Sequence, residues 1–432
     1  MDLGAICFYL FAVISTLYVL HFGYYLIGAN LYDIWQFRRR FTKHLEAAHG
    51  LADVSQPLVT VLIPAHNEEK VVIRCLDSVL ASTYDNVQIL VMDDASKDDT
   101  ALLVRQYIKQ HKLKIDRCAL VCIHQNLGKG EALNIGLRHH AKGEFVMTLD
   151  ADSILSPDAI ANALSYFSDP TIAGVAANVQ IINEPTVLGV LQKFEHMIGY
   201  RSKKAYALSN CEFVVGGVAS TYRMDVMRDV GFYDTDTWTE DIGLSIKIIS
   251  NGNRENRLMY AADVVAATEG VDSLRALLKQ RYRWKYGSLQ NLIKYYRLIG
   301  NTHERYTLGL TFYRMPVAVL SELLLFFLPL IWAYVLYMTF TQYSLGLIIG
   351  AYLTITIYTL ITLWTAEKLR FFERLQLSIY APIAYFIFYV MDFVQFWAVC
   401  RCLIRLRRLL LRKGGTSRWI SPSRVGREVS LS

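Results

Sequence analysis

The chain has 432 residues, of which 53% are hydrophobic and 19% are charged, so it is neither a disordered protein nor one that coats nucleic acid. Its seven cysteines are scattered and match neither a disulfide framework nor a zinc-binding pattern. The net charge of +7 is concentrated in residues 301–432, which carry 14 basic and 6 acidic side chains. A nucleic-acid-binding enzyme would place this surplus on its soluble part, so the basic region indicates a membrane surface.

The first element is an apolar segment from Leu3 to Tyr32 that contains no Asp, Glu, Lys or Arg. It exceeds the roughly 20 residues that a membrane-spanning helix needs, and it is too long for a signal-peptide core. A basic cluster follows it directly, formed by Arg38, Arg39, Arg40 and Lys43. By the positive-inside rule, the N-terminus lies outside and the chain beyond the cluster is cytoplasmic. We therefore predict an uncleaved transmembrane anchor over 1–37.

The next region, 55–300, alternates short β-branched apolar runs with amphipathic segments. The runs are LVTVLIP (58–64), VQILVM (87–92), CALVCI (118–123) and FVMTLD (145–150). Continuous apolar strands with helical crossovers predict a parallel sheet that is covered by helices on both faces. We therefore expect an α/β cytoplasmic domain, in which ligands bind beyond the carboxyl ends of the strands.

Polar residues follow three of these runs, as PAHNE (64–68), DD (93–94) and DAD (150–152). One acidic residue after a strand is often a helix N-cap, which is the alternative interpretation. Three acidic clusters at one sheet edge favour a binding site, and an Asp-x-Asp suits a hard divalent cation shared with a substrate diphosphate. The GKG segment (128–130) lacks the third glycine of a dinucleotide motif and the Ser/Thr of a P-loop, which disfavours a dehydrogenase or a P-loop ATPase.

A second apolar region, 313–411, follows the soluble domain. Its first part, Leu323 to Ala366, contains no acidic or basic side chain. That length fits two membrane-spanning helices, which we place roughly at 317–339 and 345–366.

The third apolar stretch, Leu375 to Val399, contains Pro382 and Asp392, either of which marks a broken or re-entrant element. If this stretch crossed the membrane, the basic tail 412–432 would lie outside, against the positive-inside rule. We therefore prefer a re-entrant or interfacial hairpin with a cytoplasmic tail, and a plain fourth helix is the alternative.

Eight ordered motifs carry a resemblance to a known family: IPAHNEE, VMDDAS, NLGKGEALNIG, LDADS, VVGGVASTYR, TEDIGLS, QRYRW and WISPSR. In this order they resemble the processive, membrane-embedded family 2 glycosyltransferases, above all the bacterial poly-N-acetylglucosamine synthases, with chitin, hyaluronan and cellulose synthases as relatives. The resemblance is close over roughly 58–290. It implies a GT-A-type, Rossmann-like domain that transfers a sugar from a UDP-sugar with inversion, with N-acetylglucosamine favoured, and passes a β-linked polysaccharide across the membrane.

The resemblance also implies roles for single residues on the donor side. Asp241 resembles the base that takes the proton of the acceptor hydroxyl, and a helix N-cap is the alternative. Asp150 and Asp152 resemble ligands of the nucleotide and of Mg²⁺ or Mn²⁺. For His66 a surface loop position is the alternative, and for Lys129 a solvated helix start. The residues implied in donor binding are Ala65, His66, Glu68, Asp93, Asp94, Lys129, Asp150, Ala151, Asp152, Gln280 and Arg283.

On the acceptor side, the resemblance implies that Trp284 forms a stacking floor for the terminal sugar, since an indole offers a large apolar face and an N–H donor. An ordinary interfacial helix with a basic face is the alternative for its QRYRW segment. Glu240, Gly216 and Gly217 are implied along the acceptor chain, and a simple strand bulge is the alternative for the two glycines. The segment Trp419 to Arg424 resembles a gate that closes over bound nucleotide, and a disordered tail is its alternative.

Two other functions stay open at this point. One is a glycosyltransferase that adds a single sugar to a polyprenyl phosphate or lipid, and the other is a transporter or scaffold that only binds a nucleotide-sugar. QRYRW favours the polymer synthase, and the apolar segments show little of the symmetric organisation of transporters.

The expected partners are the UDP-sugar donor, the growing polysaccharide and membrane lipid, with no nucleic acid. Three or four helices are few for a closed conduit, which adds the hypothesis of a small helper membrane protein. The expected location is the cell membrane, with several spans and a cytoplasmic catalytic domain.

Overall fold

The computed structural model describes residues 3–48, 56–113, 117–182, 186–251, 256–341, 345–366, 369–411 and 426. One eight-stranded sheet forms the centre of the described soluble region. Its strands are β1 Val59–Ala65, β2 Val87–Asp94, β3 Cys118–Ile123, β4 Phe145–Thr148, β5 Ser153–Leu155, β6 Ile172–Ile182, β7 Ser220–Arg223 and β8 Arg257–Glu269.

The α-helices are, in chain order, α1 Leu3–Ala48, α2 Val72–Leu80, α3 Thr100–Gln110, α4 Lys129–His139, α5 Ala159–Tyr166, α6 Val187–Leu208, α7 Met224–Asp229, α8 Glu240–Asn251, α9 Leu274–Lys294, α10 Met315–Thr341, α11 Leu345–Thr365, α12 Phe371–Ile404 and α13 Leu406–Leu410. Helices α2 to α6 pack on the sheet, and a π-helical turn, Gly309–Arg314, leads into α10. The main hydrophobic core therefore lies between the sheet and its covering helices.

The sheet order is β3-β2-β1-β4-β7-β6-β8-β5. The four strands predicted from sequence are confirmed, and they run parallel to one another. Every residue of β1 and β2 is buried, which explains why these runs are continuously apolar rather than alternating. In the other half, β7 lies antiparallel to both β4 and β6, so the whole sheet is mixed, which the pattern of apolar runs did not predict.

The N-terminal helix α1 continues beyond residue 37, the expected end of the anchor, to Ala48. Its C-terminal part packs on the soluble domain. The Tyr32 hydroxyl donates to the Tyr260 carbonyl at 2.7 Å, and the Arg39 guanidinium lies 3.6 Å from the centroid of the Tyr166 ring. These contacts join the C-terminal part of α1 to β8 and to α5.

Three described helices are long and apolar enough to span a membrane: Phe8–Thr42, Gly309–Thr341 and Ile348–Thr365. The two helices predicted at 317–339 and 345–366 are confirmed as α10 and α11.

The third stretch forms a bent pair, Phe371–Phe386 and Phe388–Ile404, with an angle of 51° between its parts. This is the geometry of a broken span or a re-entrant loop, and counting it as a span gives four.

Helix α9 joins the soluble domain to the C-terminal helices, since it packs on α8, α12 and α13. On the sheet side, Asn291 Nδ2 donates to the Thr239 carbonyl at 3.0 Å. A Cβ added at Gly287 would lie 2.8 Å from the Thr239 backbone nitrogen, so a glycine lets α9 approach this segment closely. On the other side, Tyr286 packs in a cluster with Cys402 and Leu409. Helix α9 therefore has a defined position relative to the start of α8.

Candidate active site

The carboxyl ends of β1, β2 and β4 lie at one edge of the sheet. Ala65 pairs in register with Asp93, and β4 lies on the other side of β1 and ends just before Asp150. Parallel strands bring their carboxyl ends to a common edge, so residues far apart in the chain become neighbours. The three acidic segments, of which Asp93 and Asp94 form the end of β2 itself, do lie at this edge.

Asp94 organises the loop that precedes α4. Its carboxylate accepts hydrogen bonds from the backbone nitrogens of Leu127 at 2.8 Å and Gly128 at 2.9 Å. Burial raises the pKa of Asp94, and these two backbone donors oppose that rise. The neighbouring Asp93 is also buried, and its Oδ1 has no hydrogen-bond partner among the described residues. Asp94 thus holds the loop, while the Asp93 carboxylate next to it keeps one buried oxygen that no described residue binds.

His66 and Glu68 are buried at the end of β1 rather than exposed on a surface loop. His66 Nδ1 lies 2.7 Å from the Asp94 carbonyl oxygen, and its Nε2 lies 3.1 Å from the amide nitrogen of Asn67. The carbonyl can only accept, so Nδ1 carries the proton and donates. The Glu68 backbone nitrogen donates to Thr100 Oγ1 at 2.8 Å. These contacts fix the wall of the site next to Asp94.

Lys129, the first residue of α4, lies among several carboxylates. Its Nζ is 2.6 Å from Asp150 Oδ1 and 3.5 Å from Glu240 Oε1. Burial alone would lower the pKa of Lys129, but the charges of Asp150, Glu240 and Asp241 outweigh it and raise that pKa. Lys129 is therefore a charged member of the site and not a solvated helix start.

Asp241 lies in the first turn of α8, and its Oδ1 accepts a hydrogen bond from the Ile242 backbone nitrogen at 2.8 Å. A carboxylate is favoured at this end of a helix by the helix dipole. Burial and the nearby Glu240 nevertheless raise the pKa of Asp241 to about 6, although Lys129 acts to lower it. The carboxyl thus combines a helix-start position with a pKa close to that of a general base at neutral pH.

The two adjacent glycines differ in their surroundings. A Cβ added at Gly217 would lie 3.2 Å from Lys129 Nζ and 3.5 Å from Asp241 Oδ2, whereas one at Gly216 would meet nothing within 4 Å. The Gly217 carbonyl accepts a hydrogen bond from Thr148 Oγ1 at 2.9 Å. Gly217 therefore belongs to the wall of the site, and Gly216 borders open space.

Asp150 and Asp152 are the residues that could hold a metal. Asp152 is buried, and its Oδ1 accepts hydrogen bonds from Ser153 Oγ at 3.0 Å and Thr268 Oγ1 at 3.2 Å, while Ala151 between them is buried. Among the described residues there is no cluster of three or more His, Cys, Asp or Glu side chains that could hold a metal ion. Two carboxylates nevertheless fit Mg²⁺ or Mn²⁺, because such ions complete their shell with substrate phosphates and water.

The structure adds residues that the sequence did not indicate. Arg74 on α2 donates to the Asp152 carbonyl at 3.1 Å and to Glu269 Oε1 at 3.2 Å. The backbone nitrogen of Gly426 also donates to Glu269 Oε1, at 3.1 Å. Arg74 lies within an ordinary amphipathic segment and Glu269 at the end of a long strand, so neither carried a motif. Trp419 and Arg424 lie outside the described residues.

Gln280, Arg283 and Trp284 lie on α9. Gln280 Oε1 is buried with no hydrogen-bond partner in the described part of the chain, Arg283 is exposed, and Trp284 is half-buried. No hydrogen bond or ion pair among the described residues joins these three side chains to Asp241. Their link to the acidic edge is the packing of α9 on the segment that begins α8.

Comparison with known proteins agrees with this architecture. Residues 60–231 match the family described as Glycosyl transferase family 2. A "Poly-beta-1,6-N-acetyl-D-glucosamine synthase" of Staphylococcus epidermidis is 26% identical over 381 residues, which cover 85% of this chain and 87% of that protein. The protein of the same description from Staphylococcus aureus (strain COL) is 31% identical over 265 residues, which cover 61% of this chain and 62% of that protein.

A solved structure gives a likeness of fold. The structure described as "Mannosyltransferase PcManGT from Pyrobaculum calidifontis in complex with GDP-Man and Mn2+" has a TM-score of 0.60 at 21% identity. The match covers 91% of this chain and 99% of that chain. The fold is that of a GT-A-type glycosyltransferase flanked by apolar helices, and the chain is a glycosyltransferase that carries a glycosyl transferase family 2 domain.

Proposed function

We propose that the chain is an inverting polysaccharide synthase that polymerises N-acetylglucosamine from UDP-N-acetylglucosamine into a β-linked polymer and passes the polymer across the membrane. One observation carries the proposal. Asp241, with a pKa of about 6, lies beside Lys129 and the Asp150 segment at the carboxyl edge of the sheet, where α9 also packs. The similarity to proteins described as poly-beta-1,6-N-acetyl-D-glucosamine synthases supports the sugar and the polymer.

In this proposal, Asp241 is the catalytic base. Its carboxylate takes the proton from an acceptor hydroxyl, whose oxygen attacks the anomeric carbon of the donor from the face opposite the diphosphate. The new C–O bond forms as the bond to UDP breaks, so the configuration inverts and UDP leaves with the electron pair. A pKa of about 6 keeps most Asp241 carboxyls ionised at neutral pH while making them stronger bases than an ordinary aspartate.

The leaving diphosphate requires positive charge. Lys129 lies at the Asp241 carboxylate and supplies one cation, and the exposed Arg283 on α9 supplies another. Asp150 and Asp152 would hold Mg²⁺ or Mn²⁺, which would neutralise charge on the diphosphate as a Lewis acid. Gln280, with its buried Oε1, offers a further contact to the donor.

The nucleoside would bind next to Asp93 and Asp94. Asp93 Oδ1, which has no hydrogen-bond partner among the described residues, would accept from an N–H of uracil, while Asp94 keeps the loop before α4 in place. His66 and Glu68 line the same wall beside Ala65. Ligand pockets are usually largely pre-formed, and a small number of placed polar groups fix the orientation of the ligand.

The acceptor chain would reach Asp241 past Gly216, which borders open space, with Trp284 as the stacking surface for its terminal sugar. Glu240 and Gly217 complete the wall around the attacking hydroxyl. The gate at Trp419 to Arg424 stays part of the proposal. Its support is Gly426, whose backbone contacts Glu269 and so brings the chain near the donor site.

The domain organisation also belongs to the proposal: an anchor over 1–37, a cytoplasmic catalytic domain over 55–300, a membrane region over 313–411 and a basic tail over 412–432. The three or four helices long and apolar enough to span support a multi-pass protein of the cell membrane. A small helper membrane protein would complete the conduit.

The experiment that tests the function is UDP release by the purified, detergent-solubilised chain with a panel of UDP-sugars, with Mg²⁺, with Mn²⁺ and with EDTA. We expect metal-dependent turnover of UDP-N-acetylglucosamine and a long product that linkage-specific glycosidases degrade. Release that yields only a lipid-linked monosaccharide would replace this proposal with a single-sugar transferase. If no donor is used, the assay is repeated after co-expression with candidate helper membrane proteins, and inactivity there too would overturn the proposal.

A further inference from the structure

Trp284 has a charged neighbour on its own helix. The guanidinium carbon of Arg281 lies 4.2 Å from the centroid of the Trp284 ring. The two residues are three positions apart on α9, so they share one face of the helix. Arg281 is 5% exposed, which places this cation–π contact away from bulk water, where it is strongest.

Arg281 is held in turn from another element. Its Nη2 lies 2.5 Å from Oε2 of Glu195 on α6, and its Nε is buried without a hydrogen-bond partner among the described residues. The guanidinium is therefore fixed at two points, by a carboxylate and by an aromatic face. Because Glu195 belongs to α6, the orientation of the indole depends on how α6 and α9 are arranged.

Glu195 is the ionic partner of Arg281, and the other titratable groups nearby do not compete for this pairing. His196, next to it on α6, has its pKa lowered to about 4 by burial and by the charge of Arg281, so it is neutral at physiological pH. Lys285 also contributes positive charge near Glu195, but its Nζ forms an ion pair with Glu322 of α10 at 2.6 Å. Arg281 and Lys285 thus tie α9 to two different helices.

An ion pair of this kind is a poor way to gain stability alone. Removing two charges from water costs several kcal/mol, about as much as the pair recovers, and apolar side chains of similar volume often do as well. The planar guanidinium can, however, pair with a carboxylate and lie over an aromatic ring at the same time, which an apolar or ammonium side chain cannot do. The ion pair with Glu195 and the ring contact with Trp284 therefore act on the orientation of the indole more than on stability.

We propose that Arg281, held in place by its ion pair with Glu195, covers one face of Trp284 and so directs the acceptor sugar to the other face, which makes both charged residues positioning residues. This inference rests on the proposed function, in which Trp284 stacks on the acceptor. Neither residue touches the reacting atoms. Their effect is on where the sugar ring lies when its hydroxyl meets Asp241.

The test uses the full chain in detergent with UDP-N-acetylglucosamine as the donor and a short β-1,6-linked N-acetylglucosamine oligosaccharide as the acceptor. The variants are Arg281→Met, Arg281→Lys and Glu195→Gln, with Arg275→Met, an exposed arginine on the same helix, as the matched control. We expect Arg281→Met to raise the KM for the oligosaccharide by about tenfold, because the cation–π contact that orients the indole is lost. Arg281→Lys and Glu195→Gln give smaller rises, and Arg275→Met gives none.

Two further measurements separate positioning from a structural role. The KM for the donor and the rate of UDP release without acceptor stay at the wild-type level if the fold is intact. In a Trp284→Ala background, Arg281→Met has no additional effect on the KM for the acceptor, because the ring it orients is gone.

Equal losses in donor and acceptor parameters, seen also in the isosteric Glu195→Gln, would show a structural role and overturn the inference. An unchanged KM for the acceptor in Arg281→Met would do the same. A wild-type chain that does not elongate the oligosaccharide would instead count against the proposed function.

Discussion

Charged side chains are arranged in two contrasting ways in this molecule. At the edge of the sheet, Lys129 faces Asp150, Glu240 and Asp241 together, so negative charge is in excess. Burial, together with the charge of Glu240, raises the pKa of Asp241 there to about 6. On α6 and α9, by contrast, four cations each pair with a single carboxylate of another helix. These pairs are Arg281 with Glu195, Lys285 with Glu322, Lys193 with Glu373 and Lys204 with Asp33.

The difference indicates what each region is for. An unbalanced cluster is costly unless a ligand, a proton or a cation completes it, so it suits a site that binds a metal and a diphosphate and moves a proton. A matched pair is already complete and offers nothing to a ligand. Its use is to hold one helix against another, here α9 against α6 and α10.

The largest effect is expected at Asp241, which belongs to the unbalanced cluster. Asp241→Asn removes the base but keeps the size of the side chain, so we expect turnover to fall by about 10²- to 10⁴-fold with donor binding retained. Turnover is measured as UDP release and donor binding by titration calorimetry. Asp229→Asn, an exposed aspartate at the end of α7, is the control. Loss of donor binding equal to that of Asp152→Ala would show that Asp241 belongs to the donor site instead.

The matched pairs predict a different response. Lys285→Met leaves Glu322 without its cation. Because both side chains are largely buried, at 18% and 15% exposure, the unpaired charge is costly, and we expect a loss of about 3 kcal/mol in the free energy of unfolding. The double variant Lys285→Met/Glu322→Met recovers most of that loss, because both charges are gone. Thermal unfolding in detergent measures both. A double variant as unstable as the single one would contradict the description of Lys285 and Glu322 as a balanced pair.

The unbalanced cluster also predicts the acid limb of the pH profile. Asp241 must be ionised to act as a base, so kcat at saturating donor falls as the pH drops through about 6. Lys129 lowers the pKa of Asp241, so Lys129→Met should move this limb to higher pH. Lys109→Met, at an exposed position, is the control. If the acid limb of the pH profile does not move in Lys129→Met, a group other than Asp241 controls the loss of activity at low pH.

The smallest expected effect distinguishes the two glycines. In Gly217→Ala the new methyl group meets the flexible end of Lys129 at 3.2 Å, so the lysine shifts by a few tenths of an ångström and kcat falls about fivefold. In Gly216→Ala the methyl group enters open space, so we expect a change in the KM for the acceptor and not in kcat. Steady-state kinetics against donor and acceptor separate the two. Identical effects would show that the acceptor does not pass Gly216.

Much of the soluble fold was readable from the sequence. The strands β1 to β4 were predicted because a parallel strand buried on both faces is continuously apolar, which is a local pattern. The acidic residues after β1, β2 and β4 could be assigned to one edge because parallel strands share a direction. The antiparallel strand β7 was missed, since nothing within Ser220–Arg223 states which neighbour it will pair with.

The sequence did not predict which side chains pair with each other. Arg74 meets Glu269 across 195 positions, and Arg281 meets Glu195 across 86. Each of these residues looks like an ordinary charge on an amphipathic segment or a strand end. The identity of the partner depends on how whole elements pack, which no local pattern records.

Local periodicity and hydrophobicity were therefore enough to predict the alternation of strands and helices, the apolar helices and the strand ends that carry carboxylates. Which charged side chains lie next to one another became known only from the packed structure. It placed Lys129 between Asp150 and Glu240 and thereby set the environment of Asp241, and it placed Arg281 between Glu195 and Trp284. The physical reason is that burial and charge-pair energies depend on distances in space, which arise only when the sheet and the helices are packed together.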